Sequence, residues 1–369
     1  MIEHSPAFRH IDPLSVGAQE AVLRAKKFGI SHIEARKAYQ SFYREGQTDA
    51  TWLDTDNRTV GARQQEGATT KFTLRLEDKA GVETESVLIP MTRRNGTITH
   101  TLCVSSQVGC AMGCRFCETA QMGLVKNLDV ADIIAQWHVA THEFKIRPKN
   151  IVFMGMGEPT DNLDAVIPAI RILTDHDAAA IGSSNISIST VGNPDGIRRI
   201  GKLSAEPGYR RINLAVSLNA PNDEIRRKIM PTAKAWPMAD LMDAMQNWPG
   251  RPRSAICVEY VLIPGVNDAL EHCDEMCEYL KNLRCTLNVI PYNPRRHSPW
   301  PAPEETSVAH FIDRAIANGQ FTKRRGTKGR TVMAACGQLG NPELRKSRRP
   351  TSPPVDVTIS PRISKGTHS

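Results

Sequence analysis

From residue 100 onward the chain repeats one pattern: a short β-rich run, a turn, then a helical segment. The runs are HTLCVSS (100–106), NIVFMGM (150–156), NISISTV (185–191), RINLAVSL (211–218), ICVEYVLI (256–263) and CTLNVIPY (285–292). Between them lie helical segments such as DVADIIAQWHVATHEF, LDAVIPAIRILTD, DEIRRKIM and DALEHCDEMCEYLKNL. Strands separated by helices predict parallel βαβ units whose right-handed crossovers curl the sheet. Six such units predict an α/β fold, a partial (βα)6 barrel. Parallel barrels carry function at the C-terminal ends of their strands. The strand exits here are unusually rich in glycine and short polar residues: GMGEP (155–159), STVG (189–192), SLNAP (217–221) and IPYNP (290–294).

Ahead of that repeat, LSVGAQEAVLRAKKFG and SHIEARKAYQSFYREG predict two helices, broken at Gly29, with Ser31 as an N-cap and Gly46 as a stop. This small helical accessory domain suits either RNA docking or a packing cap, and the pattern does not choose between them. Residues 47–67 are polar and irregular and read as a linker, whereas KFTLRLEDKAG and VETESVLIPM alternate as a β-hairpin does. The expected organisation is an accessory domain and linker (1–67), a hairpin extension (68–99), the barrel (100–320), a mobile segment (321–340) and a disordered basic, Pro-rich tail (341–369).

Composition narrows the class. With 40% hydrophobic and 23% charged residues, the chain can bury a sizeable core. No run of about 18 apolar residues predicts a membrane-spanning helix, and MIEHSPAFRH lacks the apolar region of a secretory signal. Nine cysteines, three of them in one loop, suit a reducing compartment, so a cytoplasmic protein is expected. The formal charge of +8 permits a polyanionic partner. KRRGTKGR (323–330) concentrates basic residues among glycines, while Arg93-Arg94, Arg210-Arg211, Arg226-Arg227 and Arg295-Arg296 each read as a solvated face.

The chemistry concentrates in CVSSQVGCAMGCRFC (103–117), where Cys110, Cys114 and Cys117 are spaced C-x3-C-x2-C. Three thiolates in a short loop can converge on one soft metal centre. Four ligands would close a zinc or electron-transfer site, but three leave one iron of a [4Fe–4S] cluster open to an outside ligand. That open iron is what S-adenosylmethionine (SAM) needs to dock and be reduced to a radical. A zinc knuckle borrowing His100, or a structural thiol cluster, remains open from spacing alone. Downstream, Glu158 offers a carboxylate to an ammonium. Ser189, Ser217, Asn219 and Asn293 each end a strand with a hydrogen-bonding side chain, as turn chemistry or as the lining of one pocket.

At the far end, TVMAACGQLG places Cys336 among small residues, either as a buried structural thiol or as a thiol delivered into the barrel mouth. Cys257, Cys273, Cys277 and Cys285 read as structural, the first and last with no polar partner nearby.

CVSSQVGCAMGCRFC, the following TAQMG, then FMGMGEP, SLNAPNDEIR, IPYNP and AACGQL occur in that order. Together they closely resemble the RlmN/Cfr family of radical-SAM RNA adenine methyltransferases, from about residue 80 to 340. The resemblance implies a [4Fe–4S] cluster on Cys110, Cys114 and Cys117, and two SAM molecules per turnover. SAM contacts would come from Gly157, Glu158, Ser189, Ser217, Leu218, Asn219 and Asn293. Cys336 would become S-methylcysteine, Glu85 would accept the proton, and Cys103 would form a transient disulfide with Cys336. The implied substrate is an adenine ring carbon, C2 on the evidence of TAQMG, in 23S rRNA and also tRNA. A flavodoxin- or ferredoxin-type electron donor and a monomeric state are expected with it. The alternatives are C8 methylation, which confers antibiotic resistance, and a divergent enzyme acting on another RNA. Two departures bear on the target: RTVM (330–333) stands where the family often has acidic residues, and STVG replaces STSG.

Overall fold

The structure is a computed structural model and describes residues 11–55, 58–76, 81–93, 95–251, 254–326, 329 and 331–340. The expected disordered tail, 341–369, lies outside the described residues. The first two elements are α1 (Ala18–Lys26) and α2 (His32–Glu45). Ser31 caps α2 by accepting from the Glu34 amide at 3.2 Å, and Gly46 ends it in the left-handed region at φ 83°. The buried face of α2, with Tyr39, Phe42 and Tyr43, joins the same apolar core as the barrel helices.

Three antiparallel strands follow: β1 (Val60–Glu66), β2 (Thr69–Arg75) and β3 (Glu83–Thr92). β1 lies inside the span read as an irregular linker. Its sequence, VGARQQE, is mostly exposed on both faces, so no alternation marks it, and pairing with β2 alone makes it a strand. β3 continues antiparallel onto β4 (Ile98–Val104), the first barrel strand. Next come β5 (Gln107–Gly109), α3 (Glu118–Gln121), β6 (Leu124–Asn127), α4 (Val130–His142), β7 (Asn150–Phe153), α5 (Leu163–Thr174), β8 (Ile186–Thr190) and α6 (Pro194–Ala205). The chain continues through β9 (Asn213–Ser217), α7 (Asp223–Ile229), α8 (Met238–Gln246), β10 (Ile256–Leu262), α9 (Leu270–Leu280), β11 (Cys285–Pro291), α10 (Glu305–Ala317) and β12 (Thr322–Arg324).

The sheet order is β1-β2-β3-β4-β7-β8-β9-β10-β11-β12, with parallel pairing from β4 to β12. Its six central strands are the six predicted runs, and the antiparallel strands extend one edge. Side-chain alternation divides each barrel strand between two tasks. On β10, Val258, Tyr260 and Leu262 pack outward into a core with α8, α9 and α10, while Glu259 and Val261 face the central cavity. Among the described residues no helix is long and apolar enough to cross a membrane.

Candidate active site

The cysteine loop is closed at its base by glycine. At Gly109, φ is +74° and an added Cβ would lie 1.9 Å from the Gly123 carbonyl oxygen, so a side chain is excluded. The Cys110 amide then donates to that same carbonyl at 3.0 Å, and Cys117 stands as the N-cap of α3. The loop thus returns on itself, and Cys110, Cys114 and Cys117 all border one cavity at the open end of the barrel.

All three thiols are free of disulfides. Burial pushes each of them above the usual thiol range, and at Cys110 and Cys114 a neighbouring loop thiolate adds to the effect. Such a trio is poorly served by water and well served by a positively charged metal centre. Among the described residues no group of three or more His, Cys, Asp and Glu is drawn together to hold a single metal ion. His100, the fourth ligand of the zinc alternative, sits in the first half of β4 and does not border the cavity. A donor set of three soft sulfurs bordering one cavity fits a polynuclear iron–sulfur centre with an open position.

The opposite walls come from the strand exits. Gly155 and Gly157 allow β7 to leave close to β4: Cβ atoms there would meet the Val104 carbonyl at 2.7 Å and Gln107 Cβ at 2.5 Å. Glu158 is buried, and its carboxylate accepts from the Thr160 amide at 3.1 Å, Thr160 Oγ1 at 2.6 Å and the Val191 amide at 2.8 Å. It therefore braces the β7 and β8 exits together, with acceptor capacity left for one more donor. Burial raises its pKa, partly offset by these bonds. Ser189, Ser217, Asn219 and Asn293 line the same cavity, so strand ends far apart in sequence converge. Asn219 adopts φ 57° and accepts from the Val261 amide at 2.9 Å. Leu218 is wholly buried beside them and does not border the cavity; its amide donates to the Glu259 carbonyl at 3.0 Å.

Cys103, from β4, and Cys336, from beyond β12, reach this cavity from opposite ends of the chain. Burial and the nearby Cys336 push the Cys103 thiol up to about 12, while Arg325 opposes the shift. Arg325 belongs to the basic run, yet it enters the barrel and pairs with Glu259 at 2.5 Å, and Glu259 accepts from Ser189 Oγ at 3.2 Å. Sequence reading missed Glu259, which stands in no recognisable motif, and took Arg325 only as one member of the basic run. The segment carrying Cys336 docks on α3, directly after the cysteine loop: the Glu118 amide donates to the Gly337 carbonyl at 2.7 Å, and Thr119 Oγ1 to the Leu339 carbonyl at 2.5 Å.

Glu85 is not in the central cavity. It borders a second, adjoining one with Lys71, Gln64, Gln65, Arg296 and Met333, and its carboxylate pairs with Lys71 at 2.9 Å.

Three readings are corrected. Arg226, expected on a solvated face, is fully buried, and its guanidinium donates to the carbonyls of Leu218 (3.2 Å), Trp236 (3.4 Å) and Val191. Its neighbour Arg227 is the exposed one. Cys257 and Cys285 also have polar partners: Asn288 Nδ2 lies 3.2 Å from Cys257 and Gln320 Nε2 lies 3.4 Å from Cys285.

A partial barrel with a three-thiol loop at its mouth is the architecture of radical-SAM enzymes, and the radical SAM superfamily model matches residues 104–280. Such enzymes use a [4Fe–4S] cluster and SAM. A probable dual-specificity RNA methyltransferase RlmN from Protochlamydia amoebophila is 42% identical over 77% of this chain and 76% of its own length. The dual-specificity RNA methyltransferase RlmN of Nitratidesulfovibrio vulgaris strain DP4 is 40% identical over 80% of each chain. The crystal structure of a radical SAM methyltransferase from Sphaerobacter thermophilus superposes with a TM-score of 0.81 at 32% identity, over 89% of this chain and 98% of that one. The chain belongs to the RlmN/Cfr family of radical-SAM RNA methyltransferases.

Proposed function

We propose that this enzyme methylates C2 of an adenine in 23S rRNA, and in tRNA, with the methyl group carried on Cys336. One observation carries the reading: Cys103 and Cys336 border the same cavity as Cys110, Cys114 and Cys117. No cluster needs five thiols, so two are left for chemistry on the substrate. Adenine C2 is an electrophilic amidine-type carbon and does not attack an electrophilic methyl group, which explains why a plain transfer pocket would not serve. When bound, the cluster and SAM supply a 5′-deoxyadenosyl radical.

The chain's residues divide the remaining work. Cys110, Cys114 and Cys117 hold the cluster. The exits at Gly157, Glu158, Ser189, Ser217, Leu218, Asn219 and Asn293 form the SAM-binding wall, with Glu158 receiving the amino group and Leu218 acting through its backbone and packing. Cys336 holds the methyl group as S-methylcysteine, Glu85 takes the proton lost from the ring carbon, and Cys103 closes a disulfide with Cys336 to free the product. Two SAM molecules are used per turnover. A flavodoxin- or ferredoxin-type protein supplies electrons to the monomeric, cytoplasmic enzyme.

Nucleoside mass spectrometry of rRNA and tRNA, after expression in a host lacking this methylation, tests the target. The expected product is 2-methyladenosine in both RNAs; 8-methyladenosine would overturn the C2 assignment. Cys336→Ala should abolish methylation while the loaded enzyme still cleaves SAM. Methylation by that variant would remove Cys336 from the mechanism.

A further inference from the structure

The ion pair between Lys71 and Glu85 lies in the interior, both side chains being about 8% exposed. Taking two charges out of water is costly, so such a pair is weak evidence for stability. Its directional contacts are more informative, because both partners reach the segment that bears Cys336. Lys71 Nζ approaches the Met333 carbonyl oxygen at 3.4 Å, and Glu85 Oε2 accepts from the Gly340 amide at 3.0 Å. One buried pair thus touches the segment on either side of Cys336.

The backbone at one of those ends is strained. Met333 has φ 51°, a left-handed conformation that is unfavourable for a side-chain-bearing residue. Something must hold it there, and the ammonium on its carbonyl is placed to do so. β2 and β3, which carry Lys71 and Glu85, are neighbouring antiparallel strands, so the anchor is rigid.

We propose that Lys71 is a positioning residue: paired with Glu85, it clasps segment 333–340 at both ends and sets where Cys336 is presented. This rests on the roles given above to Cys336 and Glu85. Both contacts fall on the same carboxylate oxygen, Oε2.

The test uses the full-length, cluster-loaded enzyme and its variants K71M, K71R and E85Q. Hydrogen–deuterium exchange is followed over residues 331–340, and methyl transfer is measured on total RNA from a methylation-null host. In K71M, exchange at 333–340 should rise about tenfold, the effect of losing one charge-assisted contact. Its kcat should fall by a similar factor with KM for RNA unchanged, and K71R should restore both. Unchanged exchange in K71M, or K71R no better than K71M, overturns the proposal. So does faster exchange spread equally over α4 and α5, which would make Lys71 a general stabilising residue. E85Q separates the two ideas: wild-type methylation by E85Q would remove Glu85 as the base, while the clasp would still be judged on the exchange of K71M.

Discussion

Replacing Arg226 with methionine should be among the most damaging single changes outside the cysteines. The guanidinium is wholly buried on α7 and donates to three backbone carbonyls, those of Leu218, Trp236 and Val191. Two of these carbonyls end barrel strands beside the cavity residues Ser217, Asn219 and Thr190. Hydrogen bonds to charged groups contribute about 1.5–3 kcal/mol each, and the contact at 3.4 Å contributes least. Methionine escapes the cost of burying a charge, which already lowers the Arg226 pKa, but it leaves the carbonyls unpaired. The net loss is about 3–4 kcal/mol, within the range for breaking a buried charged network. At about 2 °C per kcal/mol for a chain of this size, the melting midpoint should drop by roughly 6–8 °C. SAM affinity of the loaded enzyme, measured by calorimetry, should weaken by about tenfold as the strand exits loosen. Arg227→Met, at the exposed neighbour, should change stability by less than about 0.5 kcal/mol. A melting shift in R226M as small as that of R227M, with SAM affinity intact, would refute the reasoning.

Two further outcomes are expected. Cys114→Ala leaves two of the three thiols of the cysteine loop, so anaerobically prepared protein should lose most of its iron and its brown absorbance; full iron content would exclude Cys114 as a ligand. His138 on α4 stacks on Phe42 at 4.5 Å, and burial lowers its pKa to about 3. A depressed folded-state value means that this stabilisation is complete above about pH 6.5 and is lost as pH falls toward 3. The urea midpoint should therefore fall between pH 7.5 and 5 in the wild type and fall less in His138→Leu; parallel profiles would dismiss His138 as a source of acid sensitivity.

The barrel was legible in the sequence because its strands are short β-rich runs whose outward face is buried against the helices, with helical spacing between runs. The cysteine spacing was equally legible, since three ligands in a short loop form a local pattern. The linker reading failed at β1 for the same reason: a strand exposed on both faces, paired only at an edge, has no pattern of its own.

What the amino-acid order determined by itself was local: strand, turn, helix, and which thiols can share one centre. Only the tertiary structure decided which distant residues meet. It brought Cys103 and Cys336 to one cavity, carried Arg325 from a basic run into the barrel to pair with Glu259, and buried Arg226 while leaving Arg227 in water. A charged residue looks the same in sequence whether it faces solvent or three carbonyls, because its environment is supplied by segments far away in the chain.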